Sequence, residues 1–560
     1  MMQIYDPIHG YIELDGMFAH IVNTPEFQRL RSVEQGSFRP VYPGARHDRF
    51  AHSLGTYHLA TKFAEHFFEN LKKDAGIAVK KEERERLSLT FRYAALLHDV
   101  GHAPFSHTTE DFFEEKKDDK KIPMIWNDLC AAVAQVNGEE GKLFSDRNEK
   151  CGAAHEIMSA TIMVEKWKNF HIEQKNQKPE PEVDLALAAR MVIGFPYSSG
   201  DLPAVGDELL GVRNCLIQLL NCSVPDVDRL DYMMRDTQMS GYVNAPLDLA
   251  CLARSVTAVM DDGMLVNAYR EDALRVFDLM FQAKLSHDTW VLAAPAGAYD
   301  AALRRHCIRQ LGEEYIKTVF TVEALSQEGV KYNGKTYRLL SDVDVEADFK
   351  AQRGEPFDEL NTREPGKRRT PAWRSYYEFN HIFNCPERTE KRNGQEVVIP
   401  KDKQMTPENV YMFFKPLMKY LKEKNIFAFD EAAYQKVLAD SKADPKARQA
   451  AELLKGFLVK AHSKKENDPD YSVVLLDRTN SFTLKLKPEE IRIVFSGRED
   501  GKLRLPLRQG KYNYSTYDEL TCSAHQVEYK KDYFYIMRRG GLGAAQLKKL
   551  RAMLAKELKK

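Results

Sequence analysis

Only eight of the 560 residues are cysteine, none in a C-x-x-C pair and none spaced like a disulfide framework. Reduced, mostly buried thiols are the reading this supports. Net charge is missing as well: Lys plus Arg and Asp plus Glu both number 82, so no global field draws the chain to nucleic acid or to a membrane surface. No run approaches the roughly 18 consecutive apolar residues that a spanning helix needs. The opening MMQIYDPIHG lacks a basic stretch followed by an apolar one, so a signal peptide is not expected. No repeat of fixed period is visible. What remains is a cytoplasmic, folded chain whose 43% hydrophobic and 29% charged residues are ordinary for a globular protein. Its length calls for two or three domains.

Over about the first 300 residues the apolar spacing is helical. RFAHSLGTYHLATKFAEHFFENLKK, RLSLTFRYAALLHDV, AAHEIMSATIMVEKWKNF, VDLALAARMVIGF and LGVRNCLIQLLN running on to VPDVDRLDYMMRD all carry it. Two hydrophilic stretches, residues 114–150 and KNQKPEPE before Val183, read as surface insertions or loops. Later text changes character. VKYNGKTYRLLSD predicts a hairpin turning at Asn333-Gly334, and a loop rich in charge and proline follows from Arg353 to Pro371. EEIRIVFSG and QVEYKKDYFYIM read as strands, and AAQLKKLRAMLAKELKK as an amphipathic helix. GGLGAAQ loosely imitates a phosphate loop, but without a βαβ context it reads as a strand-to-helix turn.

The chemistry is carried by an ordered set of ligand-type residues. His52 lies in RHDRFAHSLG, His98 and Asp99 are adjacent in ALLHDVGH, and Asp228 lies in VPDVDRLDY. Imidazole and carboxylate donors together suit Mn, Fe or Mg, and the lack of thiolate argues against structural zinc. Neighbours on a helix point about 100° apart, so His98 and Asp99 cannot both face one ion from within a helix. Gly101 just beyond them is consistent with a helix end, where they can. The other ligands must come from separate helices, as in metal sites of helical bundles. Taken singly, these residues have plainer readings: His52 as a core or surface histidine, Asp228 as a helix N-cap.

DPIHGYIEL, TPEFQRLRSVEQ, YPGARHDRFAHSLG, LLHDVGHAPFSH and DVDRLDYMMRD occur in that order. Together they resemble the HD-domain deoxynucleoside triphosphate triphosphohydrolases over about residues 5 to 290, and little resemblance continues beyond. The mammalian member of that group carries a sterile-alpha-motif domain, which is expected to be absent here because DPIHG begins almost at residue 1. The fold expected is mainly α: an HD-domain helical core over 1–310, with the hydrophilic insertion at 114–150. A mixed α/β appendage for regulation or oligomerisation follows over 311–560.

The resemblance implies that His52, His98, Asp99 and Asp228 hold a divalent metal. It also implies hydrolysis of deoxynucleoside triphosphates to deoxynucleoside and inorganic triphosphate, with Mg accompanying the substrate. His102, His107 and His155 would then touch the phosphates or the bridging oxygen, an imidazole protonating the leaving alkoxide. Glu110 and Asp111 fall three and four residues beyond His107, so either carboxylate fixes its tautomer if helix continues, a plain surface contact being the alternative. Arg49 and Arg229 match phosphate-holding positions, although most relatives have lysine at the second. Tyr232, Asp236 and Gln35 match sugar contacts; the plainer reading of the first two is one helix face shared with Asp228. A nucleotide effector and a homo-oligomer, dimer to hexamer, are implied; no membrane partner is expected, and nucleic acid stays open only through the basic tail LKKLRAMLAKELKK, more simply read as a solvated helix face. Two rivals stay open: another HD chemistry such as a nucleotidase or phosphodiesterase, and a nucleotide-sensing module with little turnover.

The chain departs from this pattern in three places. Gly36 stands where relatives carry an apolar residue that helps exclude ribonucleotides, which leaves sugar discrimination open. MFQAKLSHDTWVLAAPAG replaces a basic and aromatic segment, with Lys284 in place of an arginine and the base-stacking tyrosine lost, which leaves base preference open. Asn23 stands where relatives read guanine with an aspartate. An amide cannot accept two N–H donors as a carboxylate does, so any effector is expected not to be guanine-specific.

Overall fold

Apolar spacing becomes helix wherever both ends are provided for. The computed structural model describes residues 2–117, 120–123, 125–146, 152–167, 182–222, 225–241, 247–261, 263–364, 366–384, 388–392, 395–399, 405–461, 472–478, 487–495, 514–521 and 532–559. It is mainly helical. The principal helices are α1 (Arg49–Asp74), α2 (Lys81–Leu97), α3 (Trp126–Val136), α4 (Gly138–Asp146), α5 (Ala154–Trp167), α6 (Leu185–Ile193), α7 (Asp207–Leu220), α8 (Val227–Ser240) and α9 (Leu274–Ser286). The Asp48 carboxylate caps α1 by accepting from the Ala51 amide, and Lys72 and Lys73 sit in its last turn, where cations complement the helix dipole. Asp226 caps α8 through the Arg229 amide at 2.7 Å. That leaves Asp228 in the first turn, so the N-cap reading belongs to its neighbour two residues earlier. Among the described residues no helix is long and apolar enough to cross a membrane.

The chain divides into two units whose segments interleave. One comprises Met1–His287, Leu311–Phe349 and Leu484–Val527; the other comprises Asp288–Gln310, Lys350–Thr483 and Glu528–Lys560. Residues 311–349, which the linear reading assigns to the C-terminal region, therefore pack with the helical core. They do so through side chains far apart in sequence, such as Arg29, whose guanidinium donates to the Leu340 carbonyl at 2.8 Å. The strand Arg492–Val494 also joins this unit, running parallel to Met264–Arg270 in a four-stranded sheet with Val256–Asp261 and Tyr514–Thr516. The expected hairpin forms between Val330–Tyr332 and Lys335–Tyr337, with Asn333 and Gly334 both at positive φ.

The second unit is α/β. A three-stranded antiparallel sheet, ordered Val473–Asp477, Phe534–Arg539, Arg369–Pro371, packs with the helices Pro407–Glu423 and Pro445–Ala461. Strand text in QVEYKKDYFYIM is realised as Phe534–Arg539, while its first half lies outside the described residues. GGLGAAQ is the turn from that strand into the helix Ala544–Glu557. The stretch from Arg353 to Pro371 is less irregular than its composition suggests. It contains the short helix Phe357–Leu360, whose Glu359 accepts from the Tyr299 hydroxyl at 2.7 Å and the Arg369 amide at 2.8 Å.

The charged insertion needs a larger correction. Residues 126–146 are not a surface loop but the antiparallel pair α3 and α4, burying Trp126, Leu129, Val133 and Phe144. KNQKPEPE falls almost wholly outside the described residues. The α3–α4 pair is anchored by Glu140, which is 1% exposed and accepts from Arg190 Nε at 2.7 Å and from the Tyr197 hydroxyl at 2.6 Å. Removing one member of a buried pair strands the other without solvent. Arg190→Leu is therefore expected to destabilise the protein by about 3–5 kcal/mol in denaturant unfolding, with Glu140→Leu added to it recovering part of that loss.

Candidate metal centre and active site

The helix carrying the His-Asp pair stops in time for both side chains to converge. α2 ends at Leu97, and His98 is its C-cap. Gly101, expected to mark the helix end, serves close approach: a Cβ there would lie 2.3 Å from the Ser159 backbone nitrogen on α5. In place of a side chain, the Gly101 amide donates to Ser159 Oγ at 2.9 Å. The turn is thus pressed against α5, and both His98 and Asp99 face the start of α1 and the first turn of α8.

Three ligand-type side chains, His52, His98 and Asp228, bring donor atoms within 4.8 Å of one another, and Asp99 stands beside them. His52 Nε2 lies 2.9 Å from Asp228 Oδ1, 3.3 Å from His98 Nε2 and 3.5 Å from Asp99 Oδ2. His98 Nε2 is 3.5 Å from Asp228 Oδ1 and 3.6 Å from Asp99 Oδ2. Each imidazole has its other nitrogen occupied. His52 Nδ1 donates to Asp231 Oδ2 at 2.7 Å, and His98 Nδ1 donates to the Ala95 carbonyl at 2.8 Å. Donation from Nδ1 leaves the Nε2 lone pair facing the cluster, the arrangement typical of metal-binding histidines. A divalent ion therefore fits this donor set on tautomer as well as on residue type.

The charges are consistent with a cation position. Burial alone would lower the His52 imidazole, but Asp228 and Asp231 outweigh it and push it up to about 10. Burial would raise Asp228, yet His52 and His98 hold it below the usual carboxylate range. Asp99 is likewise held well down against burial, chiefly by Arg49. A proton and a metal ion compete for such a position, because ligands must be deprotonated to bind.

Beside this cluster lies a second one, formed by His102, His107, Glu110 and His155, whose donor atoms lie within 4.8 Å of one another and so also make a possible metal set. Glu110 resolves the choice of carboxylate. Its Oε1 accepts from His107 Nδ1 at 2.9 Å and pairs with His155 Nδ1. It reaches them from the 3-10 turns Ser106–Thr108 and Glu110–Phe113, not from a continuing α-helix. Burial would lower His155, but Glu110 pushes it up to about 9. His102 is fully buried, stacks on His155 at 4.1 Å between ring centroids, and stands 3.3 Å from Asp99 Oδ1. Burial, together with Arg49 and His155, holds it well below the usual imidazole value. The two stacked imidazoles are thus pushed in opposite directions, with His107 on the open side at 61% side-chain exposure.

Arg49 joins the two clusters, donating Nη1 to Asp99 Oδ2 at 2.7 Å, Nε to Ser106 Oγ at 2.9 Å and Nη2 to the Gln35 carbonyl at 3.1 Å. Other expected contacts are arranged differently. Arg229 donates to the Cys222 carbonyl at 3.0 Å and pairs with Asp226 at 3.4 Å. Asp236 has each oxygen on an imidazole, His47 at 2.8 Å and His287 at 2.9 Å. Tyr232 lies near His287, and Lys284 Nζ stands 5.6 Å from the Tyr232 ring centroid. Gly36 is occupied in effect by a neighbour: a Cβ there would meet the Phe38 ring at 2.6 Å. Asn23 donates its amide to the Ala19 carbonyl at 2.8 Å.

Sequence reasoning missed Asp231. It accepts from His52, from His9 Nε2 at 2.7 Å, and from Arg235 Nε and Nη2 at 2.8 and 3.0 Å. DPIHG supplies His9 and also Asp6, which pairs with Arg235 at 2.8 Å. The available signal was LDYMMRD, which places Asp231 and Arg235 four apart on α8. Asp231→Asn would offer one accepting oxygen to four donors. We expect metal affinity, measured by chelator competition, to fall roughly 10–100-fold; unchanged affinity would remove Asp231 from the centre.

Comparison with known proteins places these residues in context. The HD domain family matches residues 49–188. An uncharacterized protein of Methanocaldococcus jannaschii is 26% identical over 316 residues, 56% of this chain and 51% of its own length. The deoxynucleoside triphosphate triphosphohydrolase SAMHD1 of Mus musculus is 40% identical over 258 residues, 44% of this chain and 32% of its own. Its Homo sapiens counterpart is 43% identical over 114 residues, 20% of this chain and 17% of its own. The chain thus spans about half the length, or less, of these curated relatives.

Proposed function

We propose that this chain, similar over its HD region to HD-domain dNTPases, is a metal-dependent phosphohydrolase acting on deoxynucleoside triphosphates. The products are deoxynucleoside and inorganic triphosphate. The observation that carries this reading is the convergence of His52, His98 and Asp228, with Asp99 3.5 Å from His52 Nε2 and paired with Arg49, beside an array of imidazoles. Those four residues would hold one divalent ion, for which Mn, Fe or Mg are suited. Such an ion, when bound, supplies Lewis-acid polarisation of a phosphoryl oxygen and acidifies water.

The chain's own side chains supply the rest. Arg49 brings a fixed guanidinium to the edge of the ligand set, where it offsets phosphate charge. His155, cationic on Glu110, adds a second positive group. His102, neutral and buried, offers ring nitrogens to the bridging oxygen. His107 stands on the solvent side with its Nδ1 donating to Glu110, and its doubly protonated imidazolium form is assigned to pass the Nε2 proton to the departing 5′-oxygen. Such general acid catalysis contributes roughly 10²–10⁴-fold. Gln35, Tyr232 and Lys284 are assigned to the sugar and base side, with Asp236 acting there through His47 and His287. Arg229 is a more distant phosphate partner. Mg accompanies the triphosphate. A nucleotide effector and a homo-oligomer, dimer to hexamer, belong to the same reading, with regulation assigned to the second unit, chiefly Lys350–Thr483 and Glu528–Lys560.

A second reading draws on one observation. Arg229 and Asp236 are already engaged by protein groups, which favours a smaller phosphate ester and an HD nucleotidase or phosphodiesterase. Phosphorus NMR of the reaction with Mn and each Mg-dNTP separates the two. We expect inorganic tripolyphosphate as the first product, and a rate loss of roughly 10²–10⁴-fold in His107→Ala with metal content retained. Orthophosphate or pyrophosphate as the first product would give priority to the second reading.

A further inference from the structure

The turn that brings His107 to the site has a backbone that ordinary side chains avoid. Phe105 and Ser106 have φ of 61° and 51° in succession. Non-glycine residues persist in the left-handed region only where their surroundings over-determine them. Part of that determination comes from a residue more than two hundred positions away. Asp342 Oδ1 accepts the Phe105 amide at 2.7 Å, and Asp342 Oδ2 accepts the Glu34 amide at 2.9 Å. The two segments so joined are also bonded directly, Ser106 Oγ donating to the Glu34 carbonyl. They are the same two segments that give Arg49 its uncharged acceptors, Ser106 Oγ and the Gln35 carbonyl.

Asp342 is itself held in place. Arg29 donates one nitrogen to the Leu340 carbonyl and another to the Val100 carbonyl, both at 2.8 Å, tying the segment before Asp342 to the turn after His98-Asp99. Asp342 opens the helix Asp342–Ala351, and farther along it the Phe349 ring lies nearly parallel to that of Phe105, with centroids 6.1 Å apart. A carboxylate with each oxygen on a different main-chain amide fixes two loops at one distance, which no single-acceptor side chain does.

We infer that Asp342 is a positioning residue for the candidate site, setting Arg49 and the His107 turn relative to the His98-Asp99 pair. Its effect on turnover rests on the phosphohydrolase reading; its hold on the two amides does not. The test uses the full chain with Asp342→Ala and the near-isosteric Asp342→Asn, read by hydrogen exchange and by steady-state kinetics. Exchange at Phe105 and Glu34 is expected to rise roughly tenfold or more in Asp342→Ala. In Asp342→Asn, which keeps one accepting oxygen and serves where the alanine variant fails to fold, one of the two amides responds. kcat/KM falls by roughly 10²-fold with metal content retained. Ser106→Ala added to Asp342→Asn costs less than the sum of the single losses, because both act on one turn.

Unchanged exchange at both amides in the folded variants would overturn the inference, and so would wild-type kcat/KM in a variant that only melts earlier. Should the native protein hydrolyse no nucleotide while both amides respond, the phosphohydrolase reading fails and the positioning of the turn stands. Should it hydrolyse dNTPs while the amides stay as they were, the inference fails alone.

Discussion

The buried carboxylate of Asp231 organises the centre without belonging to it. By accepting from His52 Nδ1 it fixes which nitrogen of that ring is left for a cation, and by accepting from His9 and Arg235 it is itself unable to turn away. A ligand whose ring is free to flip or to change tautomer offers its lone pair only part of the time. The helices α1 and α8 bring His52 and Asp228, 176 positions apart, to 2.9 Å, and the bond to Asp231 sets which His52 nitrogen faces that meeting point. The N-terminal hairpin, Met2–Asp6 with Gly10–Leu14, is drawn into the same network through Asp6 and His9.

Much of this was legible in the sequence, and the reasons differ by residue. His98 and Asp99 could be placed at a helix end because adjacent residues cannot serve one ion from within a helix. His52 and Asp228 could be paired with them only through the order of the five motif blocks, since nothing in local spacing links residues so far apart. Glu110 was legible as one of two carboxylates; the 3-10 geometry that selects it was not. Asp231, His47 and His287 stayed hidden because each is an ordinary residue whose role appears only when distant segments close on it. Asp342 was out of reach for the same reason, lying beyond the text that carries the motifs.

The fold shows a parallel division. Helices with a continuous apolar face were visible, whereas α3 and α4 were masked by the charged residues around them. Composition averaged over 114–150 conceals the apolar side chains that fill the interior there. The boundary near residue 310 failed to capture the interleaving for a similar reason: a parallel strand at Arg492–Val494 pairs with Met264–Arg270, a contact with no local signature. Gly36 and Phe38 illustrate a packing that one position alone cannot reveal, since the Phe38 ring fills the space that a Cβ at Gly36 would take.

The proposed chemistry depends on one ion lying among His52, His98, Asp99 and Asp228. Anomalous diffraction from crystals of the manganese-loaded protein, collected on both sides of the Mn absorption edge, addresses this directly. It predicts a peak bounded by the Nε2 atoms of His52 and His98 and the carboxylates of Asp99 and Asp228. A peak found only among His102, His107, Glu110 and His155, or none in fully loaded crystals, would contradict it.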